Sequence, residues 1–530
     1  MHLTVRGKVK KILYLGQNLS HSEKLTKMQE LIKISILAIL NLRVLMLYSN
    51  IININKFLIY ILVLIIISNI AKADFFENIT GIIEDNDERL SYGISVNDIT
   101  NDGNYELVVT GFGTDNLALS YRDGVLKNII KDESFSDSNR RTIGVVACDI
   151  DQDGYEEIYF LNTDTYSGNK LYSDRLLDFE NSELNDLFSL EKNKEDLNYT
   201  AGRSVACVDR QGNGKYGIYV SNYGGPTRFY ELENNTIVDQ APNLQINRVT
   251  GGRAVVVGNI ISEKSDIFAA NERGSNFLYV NNNGKFIEVA KNYGIDDELQ
   301  NGRGTTLSDI FYDGELDIIN GNWRGYHRAY VKNNDKFIDI ANKDFRAPTK
   351  VRTVISADFD NDGYDEIFFN NIGEPNKLFR INDNGEFLEL QLNEALEPNG
   401  LGTGAAVADI NNDGVLELLI SHGETAEQPL SLFRANVQKN HKWIRILPKN
   451  IFGAPARGGT VTLYTNQRTH AKTIDAGSGY LCQMEPIAHY GIRNEEIIEK
   501  IVVTWTDGTS SEIGEFDLNQ TIEIRQDMAP

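Results

Sequence analysis

The 530-residue chain reads as all-β: a seven-bladed β-propeller followed by a small β-rich domain. Three observations predict this. An acidic turn recurs at nearly constant spacing, four short strands surround each copy, and the pattern changes near residue 440.

The turn is clearest in "ADFDNDGYDEIFFNN", residues 357–371, where five acidic side chains fall within ten residues between two apolar runs. Two carboxylates about 4 Å apart repel by roughly 4 kcal/mol at an effective dielectric near 20, so such a turn calls for a cation. Asp358, Asp360 and Asp362 stand at alternate positions, Gly363 permits a sharp turn, and Glu366 closes the series at the ninth place. This is the oxygen-ligand spacing of a calcium loop, in which position 7 supplies a backbone carbonyl. An EF-hand would also need a Glu at position 12 and flanking helices. Here that position is Phe369 and the flanks read as strands, so the expectation is a hairpin whose turn wraps an ion.

Further copies begin at Asp98, Asp149, Asp209, Asp309 and Asp409, with a worn one at Gly258. Successive starts lie 51, 60, 49, 51, 49 and 51 residues apart. The one long interval is assigned to a polar loop insertion at 176–200. Ahead of each loop runs a strand of small and apolar residues such as "GRSVACV", and behind it come strands such as "EIYFLN", "NKLYS" and "KFIEVA". Four strands per unit, punctuated by Gly, Asn and Asp, describe one antiparallel blade. The segment "ADFFENITGI", residues 73–82, resembles a fourth strand yet precedes the first loop. It is expected to close the ring by pairing, through residues 75–79, with the blade of Asp409, which removes two open edges.

Ligand chemistry grades the loops. Two offer four carboxylates each: Asp149, Asp151, Asp153 and Glu157, and Asp358, Asp360, Asp362 and Glu366. Asp98, Thr100, Asp102 and Glu106, and likewise Asp409, Asn411, Asp413 and Glu417, replace one carboxylate by a neutral oxygen. Asp309, Asp313 and Asp317 keep their places, but Phe311 supplies no oxygen. The Asp209 copy, with Gln211, Asn213 and Gly217, reads as a plain turn, and the copy whose matching acid is Asp266 is not expected to bind. Calcium fits these oxygen-rich loops better than magnesium, and zinc would want His or Cys. The alternative for every loop is an acidic turn that stays solvated without a metal.

The run "FLIYILVLIII", residues 57–67, followed by small residues up to Ala73, reads as a signal peptide, with an uncleaved membrane anchor as the alternative. The basic leader before it is too long for a signal n-region, which makes Met46 or Met28 a candidate start. Residues 1–73 are thus set apart from a propeller at 74–438 and a β-domain at 439–530. Beyond residue 73 the chain carries 42 basic and 73 acidic side chains. That acidity argues against nucleic acid or an anionic membrane surface as a partner. Three cysteines are too few for a disulfide framework; Cys148 and Cys207, one and two residues ahead of their loop aspartates, are expected to point to opposite faces as buried thiols. Asn78, Asn198, Asn234 and Asn519 lie in sequons that matter only in a eukaryotic secretory host.

Beyond residue 440, "HKWIRILPKN", "GGTVTLYT", "EKIVVTWTDGT" and "TIEIRQ" read as short strands, while "GSGYLCQMEPIAHYGI" fits no regular element. It is either a conformationally demanding loop that closes the domain or a ligand or partner surface. Together the repeats resemble FG-GAP (VCBS) repeats of the integrin-α type. Residues 440–525, through "GAPARGGTVTLY", "AGSGYLCQ" and "VTWTDG", are similar to the ASPIC and UnbV domain. The pair resembles the cartilage acidic protein family, in the form found in bacteria. The resemblance implies a calcium-binding propeller with an appended β-domain, usually exported. Where that family has Pro after the last Trp, this chain has Thr506, read as a local change in a turn.

The reading for function is an exported, non-enzymatic, calcium-binding scaffold, secreted, periplasmic or on the cell surface, for interaction with or adhesion to an unknown protein or glycan ligand. A membrane enters only if the apolar segment is retained. The rival is a carbohydrate-active enzyme, a glycoside hydrolase or polysaccharide lyase, using "NGNWRGYHRAY" with Trp323, Arg324, Tyr326 and His327 as its groove. Fold analogy alone supports it.

Overall fold

The computed structural model describes residues 75–527, apart from 181–182, 383–384, 438–441 and 515, together with the isolated positions Gln29 and Lys33. The leader, the apolar run at 57–67 and the proposed start sites lie outside the described residues. Among the described residues no helix is long and apolar enough to cross a membrane. Residues Ala73–Pro530 form one compact unit.

The repeats fold into antiparallel sheets in sequence order. Five are four-stranded, and an eight-stranded one divides into two four-stranded units joined where Gly217–Pro226 meets Val249–Gly258. The first strands of these units are Ser91–Asn97, Thr142–Cys148, Gly202–Val208, Val249–Gly258, Gly302–Ser308, Val351–Ala357 and Gly402–Ala408. Each packs beside the next, and the last beside the first, so they line a closed central hub. Closure is made by Phe76–Asn78, which pairs antiparallel with Ser431–Ala435, Phe76 opposite Ala435, in the blade of Asp409. Side chains from facing sheets fill the space between blades, as where Ile319 and Val331 cluster with Phe369 and Phe379 of the next sheet.

Two parts of the sequence reading change. Most of the extra residues of the long interval sit at 163–174, between the second and third strands of the Asp149 blade, and residues assigned to the insertion form the third strand, Arg175–Glu180. The misleading text was "NKLYS", which mimics a third strand. Its Leu171 is 69% exposed, and its Lys170 is instead buried against Asp174 and the Asn162 carbonyl. Cys148 and Cys207 form a disulfide. They do point to opposite faces of their own sheets, but neighbouring blades stack face to face, so opposite faces on adjacent first strands are what bring two sulfurs together. Of the four sequons, Asn198 is buried, with its amide held by Asp174 and Asn222.

The C-terminal domain has two sheets. Lys442–Lys449 pairs with Ala488–Ile492 and, in parallel, with Thr521–Arg525. Thr460–Thr465 lies between Thr469–Thr473 and Ile498–Thr504, with Ser510–Ile513 beyond. Ile446, Val461, Leu463, Tyr490, Val503 and Trp505 fill the space between them.

Of the stretch that fitted no regular element, the last five residues form the strand Ala488–Ile492, and the part up to Gln483 runs through the hub. Cys207 N–H donates to the Ala476 carbonyl at 2.7 Å, Thr305 and Gly479 exchange two bonds of 2.7 Å, and Gln483 N–H donates to the Ile94 carbonyl at 2.9 Å. The Gln483 amide bonds both the N–H and the carbonyl of Ala147, at 2.8 and 3.0 Å. First strands of a propeller present unpaired backbone groups to the axis, and residues 476–483 satisfy part of that demand from the C-terminal domain. Gly93 permits the approach, since a Cβ there would lie 2.3 Å from the Leu481 carbonyl oxygen.

Candidate metal centres

Each turn loop closes a hairpin in a shared register. The residue before the first aspartate pairs with the ninth-position acid: Asn97 with Glu106, Cys148 with Glu157, Ser308 with Asp317, Ala357 with Glu366, Ala408 with Glu417. Positions four and six are left-handed, as at Asn361 (φ 57°) and Gly363 (φ 86°), and the same holds at Gln152 and Gly154. This explains why the frame requires Gly at six and favours Asn at four.

The first aspartate then accepts backbone N–H groups of its own turn. Asp98 takes those of Asp102 and Gly103, Asp309 those of Asp313 and Gly314, and Asp409 those of Asp413 and Gly414. The ninth-position acid accepts the N–H of position two, for example Ile150 to Glu157 at 2.7 Å and Phe359 to Glu366 at 3.2 Å. In Asp98, Asp309 and Asp409 these bonds engage both oxygens, whereas Glu157 and Glu366 are engaged through Oε2.

In two loops three carboxylates converge. Oxygens of Asp149, Asp151 and Glu157, and of Asp358, Asp360 and Glu366, lie within 4.8 Å of one another. The fifth-position acids, Asp153 and Asp362, fall outside these trios; each accepts the N–H two residues on, from Tyr155 and Tyr364. No such trio forms at the Asp98, Asp309 or Asp409 loops among the described residues.

The converged groups are short of positive charge. Burial, reinforced by the neighbouring carboxylates, pushes Glu157 and Glu366 well above the usual range, and Asp149 and Asp358 to about 7. Burial likewise raises Asp309 to about 7 and Glu106, Asp317 and Glu417 to about 8. Asp358 Oδ1, Glu366 Oε1 and Thr100 Oγ1 are buried oxygens without a hydrogen-bond partner. Orphaned, converging oxygens at calcium spacing fit a hard divalent cation.

Arginines modify the ranking. Arg380 pairs with Asp362 and lies 3.8 Å from both Asp360 and Glu366, and Arg434 pairs with Asp413 at 2.5 Å and Glu417 at 3.0 Å. Arg122 reaches Asp102 at 3.3 Å. The Asp266 carboxylate is occupied by Ile261, Ser262 and Asn281, which suits a turn that closes without an ion.

The C-terminal domain covers this loop face, which sequence reasoning did not anticipate. Gly491 N–H donates to Asp358 Oδ2 at 2.8 Å, Ala471 N–H to Asp309 Oδ2 at 2.9 Å, and Arg445 Nη1 to Asp409 Oδ2 at 2.9 Å. Thr506 is more than a local change in a turn. Its buried hydroxyl donates to Asp209 Oδ2 at 2.7 Å and holds the loop that has lost its other carboxylates. His327 is fully buried, accepts the Asn322 N–H at 3.0 Å and contacts the Thr349 hydroxyl at 3.1 Å. Burial lowers it to about 3, so it is a packing group.

Ringed sheets with acidic hairpin turns, capped by a β-domain on the turn face, define a propeller of calcium-loop-like repeats. Residues 98–160, 309–369 and 358–420 match the FG-GAP-like repeat, and residues 451–530 match ASPIC and UnbV. Over 482 residues the chain is 43% identical to cartilage acidic protein 1 of Xenopus tropicalis, covering 83% of this chain and 74% of that protein. For cartilage acidic protein 1 of Homo sapiens the identity is 44% over 482 residues, with coverage of 83% and 73%. The chain belongs to the cartilage acidic protein 1 family. Among solved structures a rhamnogalacturonan lyase aligns with a TM-score of 0.38 and 15% identity, covering 66% of this chain and 73% of that one, too distant to carry an argument about activity.

Proposed function

We propose that the chain is a non-enzymatic, calcium-stabilised binding scaffold that works outside the cytoplasm, secreted, periplasmic or at the cell surface, and presents its surface to a protein or glycan. The observation that carries this reading is the convergence of Asp149, Asp151 and Glu157, and of Asp358, Asp360 and Glu366, with two oxygens of the second trio orphaned. The ion would be held by these side chains, and in weaker form by the Asp98, Asp309 and Asp409 loops. Calcium supplies charge compensation there. The chain's own residues do the rest: backbone N–H groups orient the carboxylates, and the glycine at position six closes the turn. Export would place the loops where calcium is plentiful, and the acidic composition suits a cation-loaded protein.

The rival enzymatic reading is not favoured by any observation, because His327, its acid–base group, is enclosed and neutral. Thermal melting in calcium, magnesium and excess chelator tests the proposal. A rise in Tm specific to calcium supports it; equal melting in all three overturns it. Release of reducing ends or unsaturated sugars from a glycan panel, absent in His327→Ala, would overturn the non-enzymatic part.

A further inference from the structure

Four first strands carry an arginine at one equivalent place: Arg203, Arg253, Arg303 and Arg352 each stand six residues ahead of Asp209, Asn259, Asp309 and Asp358. Each falls where the strand register slips by a β-bulge. A bulge re-aims a side chain out of the ladder, and here it turns the four guanidiniums towards the axis at the hub mouth opposite the turn loops. Tyr480 meets them there. It stands at the tip of the hub segment, within the tight turn closed by the bridge between Ser478 and Cys482. The Arg303 guanidinium lies 5.9 Å from its ring centre.

The faces of the guanidiniums are taken by aromatic rings. Trp323 lies 4.4 Å from Arg352 and 5.1 Å from Arg303, and Tyr223 4.5 Å from Arg253. With their faces stacked, the guanidiniums present N–H edges to a ligand. Two carboxylates contact this set: Glu272, shared by Arg253 and Arg303, and Glu424 on Arg352. Arg203 is held by backbone carbonyls. Four cations thus face two anions, on a chain whose formal net charge is −23. Among the described residues the Nε atoms of Arg203, Arg303 and Arg352 are buried without a hydrogen-bond partner.

We propose that this mouth binds a small carboxylic acid of the sugar-acid type, its carboxylate taken by Arg303, Arg352 and the Tyr480 hydroxyl. A planar carboxylate matches the guanidinium fork, and Tyr166, 59% exposed at the rim, offers apolar surface to the rest of the ligand. The same arginines hold the Tyr480 phenol down at about 8 despite its burial. The site rests on the scaffold reading but not on calcium, since none of its residues belongs to a turn loop.

Calorimetric titration of the purified protein with glucuronate, glucose and inorganic sulfate, in calcium and in chelator, tests this. Saturable binding of glucuronate, none of glucose, and a loss of at least about tenfold in affinity in Arg352→Gln are expected. Tyr480→Phe, which keeps the ring and packing, loses affinity while its Tm stays within a few degrees. Arg352→Lys distinguishes a lost charge from a lost fork. No saturable uptake of glucuronate in calcium, equal affinity in the Arg352→Gln and Tyr480→Phe proteins, or sulfate competing as well as glucuronate overturns the assignment. Glucuronate binding without any calcium effect on melting leaves this site standing and overturns the calcium reading alone.

Discussion

Arg457 of the C-terminal domain donates from Nε to Glu156 Oε1 at 2.5 Å and from Nη2 to Oε2 at 3.1 Å, with both side chains buried at the propeller face. The same guanidinium donates to the Val96, Asp475 and Met484 carbonyls. One residue therefore joins two adjacent blades, the ends of the hub segment and the β-domain. Burying such a pair is costly, and breaking one side leaves a charge unpaired. Arg457→Ala is expected to lose about 3–5 kcal/mol in denaturant unfolding, and Arg457→Met combined with Glu156→Gln distinctly less. Equal losses would mean that the pair does not anchor the domain.

The disulfide links first strands of adjacent blades across 59 residues of chain. Cys207→Ser, or reduction of the native protein, is expected to lower stability by about 2–4 kcal/mol. An unchanged unfolding curve in reductant would place both thiols in the reduced state.

Thr506 ties the last strand motif to Asp209 through a buried hydroxyl. Thr506→Val keeps the shape and removes the donor, and should cost about 1–3 kcal/mol in equilibrium unfolding. Thr506→Ser, which keeps the donor, should cost clearly less. Equal costs would assign the effect to packing.

Stability without calcium should depend on pH in a definite sense. Burial raises Asp149 and Asp309 to about 7 and Glu106 and Glu417 to about 8, so the folded protein keeps protons that the unfolded chain releases above its ordinary carboxylate range. With respect to these groups, stability in chelator is therefore fully present below about pH 4 and falls as pH rises from there towards 8. Calcium needs the deprotonated form, so its stabilising effect should grow over the same window. Melting curves from pH 5 to 8, with and without calcium, check both slopes.

The propeller was legible because its signal is repetitive. The Asp-x-Asp-x-Asp-Gly frame, its left-handed positions four and six, and the alternating strands recur in one register, so each copy corroborates the others. Closure by Phe76–Asn78 could be read from strand order alone. What escaped depended on tertiary placement. Residues 476–483 have no local regularity because their hydrogen-bond partners are first strands hundreds of residues away, at Ile94, Ala147, Cys207 and Thr305. Cys148 with Cys207, and the arginine ring, required knowing that adjacent blades stack face to face and that a bulge turns a side chain to the axis. The shared "GR" at 202–203, 252–253 and 302–303 was the available signal for the ring, and it was read only as strand flank.

The most direct measurement is a calcium titration by calorimetry of chelator-stripped protein, alongside a variant carrying Asp151→Ala and Asp360→Ala. Sites of this kind have dissociation constants of about 0.1–1 mM. At the tighter end, about 10 mM calcium would add roughly 2.7 kcal/mol of stability per site. The account predicts saturable calcium uptake that the double variant loses at two sites, with a matching drop in the calcium-dependent rise in Tm. Titration without heat or stabilisation, or uptake unchanged in the variant, would contradict it.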